Sequence, residues 1–198
     1  MNTTKIISVS SLAAHRTASL KAQMAILGSV LLPVPTVLLN GVASYSMVRK
    51  QTIDFMPLLE GTLYLCTQQG QKPYLFLGYL TSVEDVFHLK DFIVANAHLL
   101  AGVFVDPISG DNGKPYIHTD IIREWPQLLS LATFAFPNIT ELKMYSGIPS
   151  EADLESHIIA FEIRFPLLNY ILTSYCKEKK IGVRLKTNSE TSFYFIHM

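Results

Sequence analysis

The run "VFVDPISGDNGKPYI", Val103–Ile117, passes directly from apolar residues into carboxylates, glycines and a lysine. Asp106 and Asp111, joined by Glu141 from "PNITE" at 137–141, form an all-oxygen donor set. Such a set suits hydrated Mg²⁺, which prefers oxygen ligands and keeps several of its waters. Gly110 and Gly113 allow backbone N–H groups to approach an anion closely. Lys114 can neutralise a phosphate, and the hydroxyls of Thr140 and Thr173 can donate to its oxygens. Together these groups describe a nucleotide–metal site of the phosphoryl-transfer kind, where catalysis is mostly positioning and charge neutralisation. Each stretch also has a plainer reading. "DPISGDNGK" is rich in turn residues. "PNITE" reads equally as a strand exit followed by a helix cap, with Glu141 favoured by the helix dipole. "LTSY", Leu172–Tyr175, says little by itself. The weight lies in all three falling at the ends of predicted strands, the edge where open α/β sheets bind ligands.

The elements that must carry these loops alternate along the chain. "KIISVS" reads as a first strand, "TASLKAQMAILGSV" as a helix and "PTVLL" as a short strand. "TIDFMPLLEGTLYLC" is helical in part, interrupted by Pro57 and Gly61. "PYLFLGYL" is a buried strand. The helix after it begins at an N-cap, Ser82, with Asp85 three residues on and an apolar face of Val86, Leu89 and Ile93. "AGVFVDPI" is a strand, "TDIIREWPQLLSLA" a helix and "TFAFPN" a strand. "SEADLESHIIAFEI" is a helix with Ser150 as its cap, and "LLNYILTSY" is a strand. "IGVRLKTN" and "TSFYFIHM" flank a polar turn and read as a hairpin. This alternation predicts one α/β domain over residues 1–198 with a mostly parallel central sheet flanked by helices.

Bulk properties narrow the partners. The 198 residues carry 16 Lys and Arg against 16 Asp and Glu, so no net field attracts nucleic acid or an acidic membrane. Ala22–Val48 contains no charge, but Gly28, Pro33 and Pro35 break it, which argues against a spanning helix. "IISV" is too short for a signal peptide, so the Asn138-Ile139-Thr140 acceptor pattern is set aside. Two cysteines without metal-type spacing, Cys66 and Cys176, fit reduced thiols in a cytoplasmic protein. No Ser-His-Asp set or Cys-His pair is recognisable. Of the six histidines, only His15 falls near an expected pocket, where a surface or cap role suits it better than catalysis.

"GYLTS" (78–82), "DPISGDNGKPYI" (106–117), "FPNITEL" (136–142) and "ILTSY" (171–175) follow one another in the order and spacing of pyridoxal kinases. Over about Ile6 to Met198 the chain resembles that family, part of the ribokinase-like superfamily. The resemblance implies transfer of the ATP γ-phosphate to the 5′-hydroxymethyl of pyridoxal, pyridoxine or pyridoxamine, with Mg²⁺, usually by a homodimer. It implies Asp106 and Asp111 beside metal and phosphates. Glu141 would support the metal through water. Asn138 and Thr140 would lie near the phosphates, Thr173 at the nucleotide, and Ser11, Tyr79 and Tyr116 at the substrate.

The pattern is broken in places. "VSSLAAHRTASL" has His15-Arg16 where the family has Tyr-Gly, and "LLNGVASYS" (38–46) stands for a Thr-His-Thr-like run. No Gly-Thr-Gly-Asp segment occurs. In the family that segment supplies the anion hole and the catalytic base. The sequence therefore predicts no catalytic residue of its own and a fold shortened after the hairpin. It leaves open a second function: a kinase-derived binding or assembly protein without turnover.

Overall fold

The structure, a computed structural model, describes residues 4–42, 47–177 and 180–195, apart from the side chains of Cys176 and Lys177. Residues 43–46 of "LLNGVASYS" and 196–198 of the second hairpin strand lie outside it. The chain divides into two compact units, Met1–Phe104 and Val105–Met198.

In the first unit, β1 (Ile6–Ala13) is the central strand. The residues from Ile7 to Ser11 are all buried, as expected of a strand covered on both faces. After it come α1 (Ser19–Leu27) and β2 (Leu31–Leu39). Then follow β3 (Lys50–Thr52), α2 (Met56–Gln68), β4 (Tyr74–Leu77), α3 (Val83–Asn96) and β5 (Gly102–Val105), whose last residue opens the second unit. β1 pairs in parallel with both β2 and β4, and β3 closes antiparallel on β2. β2 begins four residues earlier than the pattern "PTVLL" predicts and contains both prolines. Pro33 and Pro35 are two apart, so their missing N–H groups fall on the same side of the strand. β3 pairs only with Val37–Leu39, which leaves the proline stretch an open edge where no donor is needed. Pro57 lies in the first turn of α2, where its missing N–H costs nothing. The Ser82–Asp85 capping box is present in both directions.

In the second unit, β6 (Gly110–Asp111) and β7 (Lys114–Pro115) form a two-stranded hairpin. α4 (Thr119–Leu129), β8 (Phe134–Ala135), α5 (Ile139–Ser146) and α6 (Leu154–Arg164) follow. β9 (Asn169–Lys177), β10 (Lys180–Lys186) and β11 (Thr191–Phe195) complete it. β8 and β9 are parallel, whereas β9–β10–β11 is an antiparallel meander that includes the expected hairpin. The core of this unit gathers Trp125, Leu128, Leu142, Tyr145, Phe161, Tyr170 and Leu172, each no more than 1% exposed. Arg184, 7% exposed, ties β10 to α6 through an ion pair with Glu162 at 3.0 Å and a hydrogen bond to the Tyr170 hydroxyl. The expected cap of α6 is corrected. Asp153, not Ser150, accepts from the Ser156 N–H at 2.9 Å, while the Ser150 hydroxyl is taken up by Glu151.

Among the described residues no helix is long and apolar enough to cross a membrane. Cys66 is a buried free thiol, pushed upward in pKa by desolvation.

Candidate phosphate and metal site

The Asp-Asn-Gly-Lys sequence forms the hairpin turn between β6 and β7. Asn112 and Gly113 have φ of 50° and 75°, the pair of positive values that a type I′ turn demands. Gly110 is required by close packing: a Cβ there would stand 2.6 Å from the Lys114 carbonyl oxygen and 2.7 Å from the Met144 methyl.

Glu141 organises the loops. It is 2% exposed. Its Oε1 accepts the Ser109 N–H at 2.9 Å and its Oε2 accepts the Asn138 N–H at 3.0 Å. Burial raises its pKa, the N–H groups of Asn138, Ser109 and Gly110 pull it back down, and Asp111 adds to the rise. Asn138 reciprocates as N-cap of α5, accepting the Glu141 N–H at 3.0 Å, and its amide donates to the Gly110 carbonyl at 2.8 Å. The helix-cap reading of "PNITE" is therefore realised, and the same residues fasten the metal-type loop to it. The Gly113 N–H donates to Thr140 Oγ1 at 2.9 Å. The two glycine amides expected to face an anion are thus turned inward, Gly110 to Glu141 and Gly113 to Thr140. A hydroxyl that accepts from Gly113 still has its own proton to donate. Thr173 joins the same cluster: its N–H donates to the Pro137 carbonyl at 2.9 Å, and it bridges in parallel to Asn138.

Asp106, Asp111, Lys114, Tyr116, Asn138, Thr140, Glu141 and Thr173 all belong to the second unit, and three separate segments of it are linked by these bonds. Asp111 and Lys114 are exposed, and Asp111 accepts from the N–H and side-chain amide of Asn112. Burial, then the Glu141 charge, pushes the Asp106 carboxyl up to about 7. Burial and the carboxylates of Glu141, Asp106 and Asp111 push the Tyr116 phenol up as well. Ser11 and Tyr79 belong to the first unit. The Ser11 hydroxyl, 5% exposed, donates to Ser19 Oγ at 3.0 Å, and Tyr79 is half-buried with its phenol raised by desolvation.

A cluster in which Glu141 helps raise Asp106 and Asp111 helps raise Glu141 fits a divalent cation, which would relieve that repulsion. Among the described residues no three His, Cys, Asp or Glu side chains converge as a metal cage. A hydrated Mg²⁺ met by one or two carboxylates needs no such cage. Two supports were missed by sequence reasoning. The Ser109 N–H holds Glu141, and Tyr145, 1% exposed, holds the Ser109 hydroxyl. The one available signal was a serine, Ser109, immediately before the glycine of the loop.

No protein-family model matches the chain. It is 29% identical over 159 residues to a Schizosaccharomyces pombe protein named "putative pyridoxal kinase", covering 75% of this chain and 50% of that one. The chain thus spans about half the length of the curated relative it matches. The pyridoxal kinase of Entamoeba histolytica superposes with a TM-score of 0.81 at 22% identity, over 94% of this chain and 70% of that one. The Leishmania donovani pyridoxal kinase, crystallised with ADP and pyridoxamine, gives 0.78 at 20% identity, over 98% and 72%. The chain therefore has the ribokinase-like fold, a mostly parallel sheet flanked by helices with a C-terminal antiparallel hairpin, shared with these two pyridoxal kinases.

Proposed function

We propose that this chain is a pyridoxal-kinase-type phosphotransferase in which the second unit holds the phosphates and metal of ATP. The observation that carries the reading is the Glu141 node. One buried carboxylate joins the Asp106–Lys114 loop to the α5 cap, and that cap bridges to Thr173. Asp111 would meet a hydrated Mg²⁺, with Glu141 behind its waters. Lys114, Thr140 and Thr173 would contact phosphate oxygens. Asn138 has spent most of its hydrogen-bonding groups within the protein, so its part is to hold the loop. Asp106 and Tyr116 would lie beside the transferred phosphate, and Ser11 and Tyr79 beside the pyridine. The metal supplies charge neutralisation across the phosphates. The single-domain arrangement, the cytoplasmic setting and the homodimer belong to the same reading.

The test is a coupled ADP-release assay with Mg-ATP and each of pyridoxal, pyridoxine and pyridoxamine. Turnover of any of them supports the reading, and a folded chain that neither turns over nor binds Mg-ATP removes it. A second reading rests on a specific feature: His15-Arg16 stands where the pyridoxal kinase pattern has Tyr-Gly. On that reading the chain is a kinase-derived binding protein without turnover. Calorimetric titration separates the two: saturable binding without turnover favours the second.

A further inference from the structure

β1 carries three buried serines, Ser8, Ser10 and Ser11, at 0%, 0% and 5% exposure. Polar groups so deep in a strand covered on both faces need partners. Ser8 donates to Gln23 Oε1 at 2.6 Å and Ser11 to Ser19. Ser10 does something different. The β1–β4 ladder makes its last backbone bond from the Gly78 N–H to the Val9 carbonyl at 2.8 Å. At the next residue the Tyr79 N–H donates instead to Ser10 Oγ at 3.0 Å, and the Tyr79 carbonyl accepts from Thr36 Oγ1 at 2.9 Å. Thr36 is also fully buried. It lies where the β1–β2 register slips: Ser10 faces Pro35 and Ser11 faces Val37, so Thr36 is an extra, unopposed residue. A bulge of this kind re-aims a side chain, and such bulges are over-represented beside functional sites. Here it delivers a hydroxyl to a peptide that no strand reaches.

We infer that Ser10 and Thr36 form a hydroxyl clamp on the Tyr79 peptide and act as positioning residues for the substrate-ring side of the site. Tyr79 directly follows β4, where the chain leaves the sheet. Without the clamp its peptide has no ladder partner on either side, and its ring loses a fixed origin. The bulge, the buried threonine and the buried serine serve one function. The inference rests on the reading of Tyr79 as a substrate-contacting residue.

The test is binding of pyridoxine, which lacks the aldehyde that would react with lysines, measured beside binding of Mg-ATP. Ser10→Ala and Thr36→Val are each expected to weaken pyridoxine about tenfold, equivalent to about 1.4 kcal/mol, and to leave Mg-ATP affinity unchanged. Thr36→Ser, which keeps the hydroxyl, is expected to restore wild-type affinity. A purely structural role would lower the melting temperature of both variants without separating the two ligands. Should either variant fail to fold, Ser10→Cys replaces an oxygen acceptor by a weak sulfur one in a similar volume, and Thr36→Ser keeps its hydroxyl. Weakened pyridoxine binding in the first, with full binding in the second, sustains the clamp. Pyridoxine affinity unchanged in folded Ser10→Ala and Thr36→Val, or in Ser10→Cys, overturns it. A wild-type chain that binds Mg-ATP but no pyridoxine overturns the substrate reading and the clamp together.

Discussion

Two polar clusters, one in each unit, hold their chains by opposite means. In the second unit a carboxylate, Glu141, gathers backbone N–H groups from Ser109, Asn138 and Gly110. In the first, two neutral hydroxyls hold both ends of one peptide, at Tyr79. A buried charge stabilised by amides is strong, but it fails badly once a partner is lost, because the remaining groups are left unsatisfied. Neutral hydroxyl contacts are individually weaker, and losing one leaves a single peptide group unsatisfied. The Glu141 node therefore fails as a unit, whereas the pair of hydroxyls on Tyr79 loses one bond at a time. His15-Arg16, where the pyridoxal kinase pattern has Tyr-Gly, lies in the same unit as the two hydroxyls.

The largest effect expected is on the node. Glu141→Ala strands amide donors in the interior and should cost about 3 kcal/mol of stability, at roughly 1–3 kcal/mol per unsatisfied group, together with all Mg-ATP binding. Urea denaturation and calorimetry read both. A loss below about 1 kcal/mol, within the range of a typical substitution, would dissolve the contrast with the hydroxyl clamp. Next is Gly110→Ala, whose methyl would collide with the Lys114 carbonyl. A cost of about 2 kcal/mol is expected for overpacking, with weakened nucleotide binding and intact pyridoxine binding.

The pH dependence sharpens the comparison further. The Asp106 carboxyl, pushed up to about 7, keeps its proton in the folded chain where the unfolded chain, with a pKa of about 4, has lost it. The unfolded state then binds fewer protons, so the stability contributed by this group falls as pH rises from about 4 to 7. Thermal melts at pH 5 and pH 8 should show that fall. Mg²⁺ should raise the melting temperature more at pH 8 than at pH 5, and Asp106→Asn should remove the pH component. An equal Mg²⁺ effect at both pH values would place the cation elsewhere.

Smaller still, Ser82→Ala opens the capping box of α3 in the first unit. It should cost about 1 kcal/mol while leaving both ligands' affinities alone. Asp111→Asn is smallest in stability, within about 0.5 kcal/mol for an exposed residue. It should nonetheless weaken Mg-dependent nucleotide binding, as isothermal titration with and without Mg²⁺ would show.

Local chemistry accounts for what could be read in advance. Both capping boxes lie within four consecutive residues, so Ser82–Asp85 and Asn138–Glu141 are legible from spacing alone. The Asn-Gly turn is equally local. At the start of α6, Ser150 and Asp153 are both good N-caps three residues apart, so spacing alone does not choose between them. Only the position where the chain enters the helix selects Asp153. The full length of β2 is hidden in sequence because prolines argue against a strand unless they face an unpaired edge.

By itself the sequence determined the alternation of strands and helices, the order of the three polar loops and the residue types each loop presents. These follow from hydrophobic period and from caps and turns that close within a few residues. Only the tertiary structure decided that the glycine amides face inward, that Glu141 is the shared anchor and that a bulge at Thr36 reaches Tyr79. Apart from the local Asn138–Glu141 bond, those contacts join residues 27 to 69 positions apart. No local pattern encodes them, because they exist only once the register of paired strands is set.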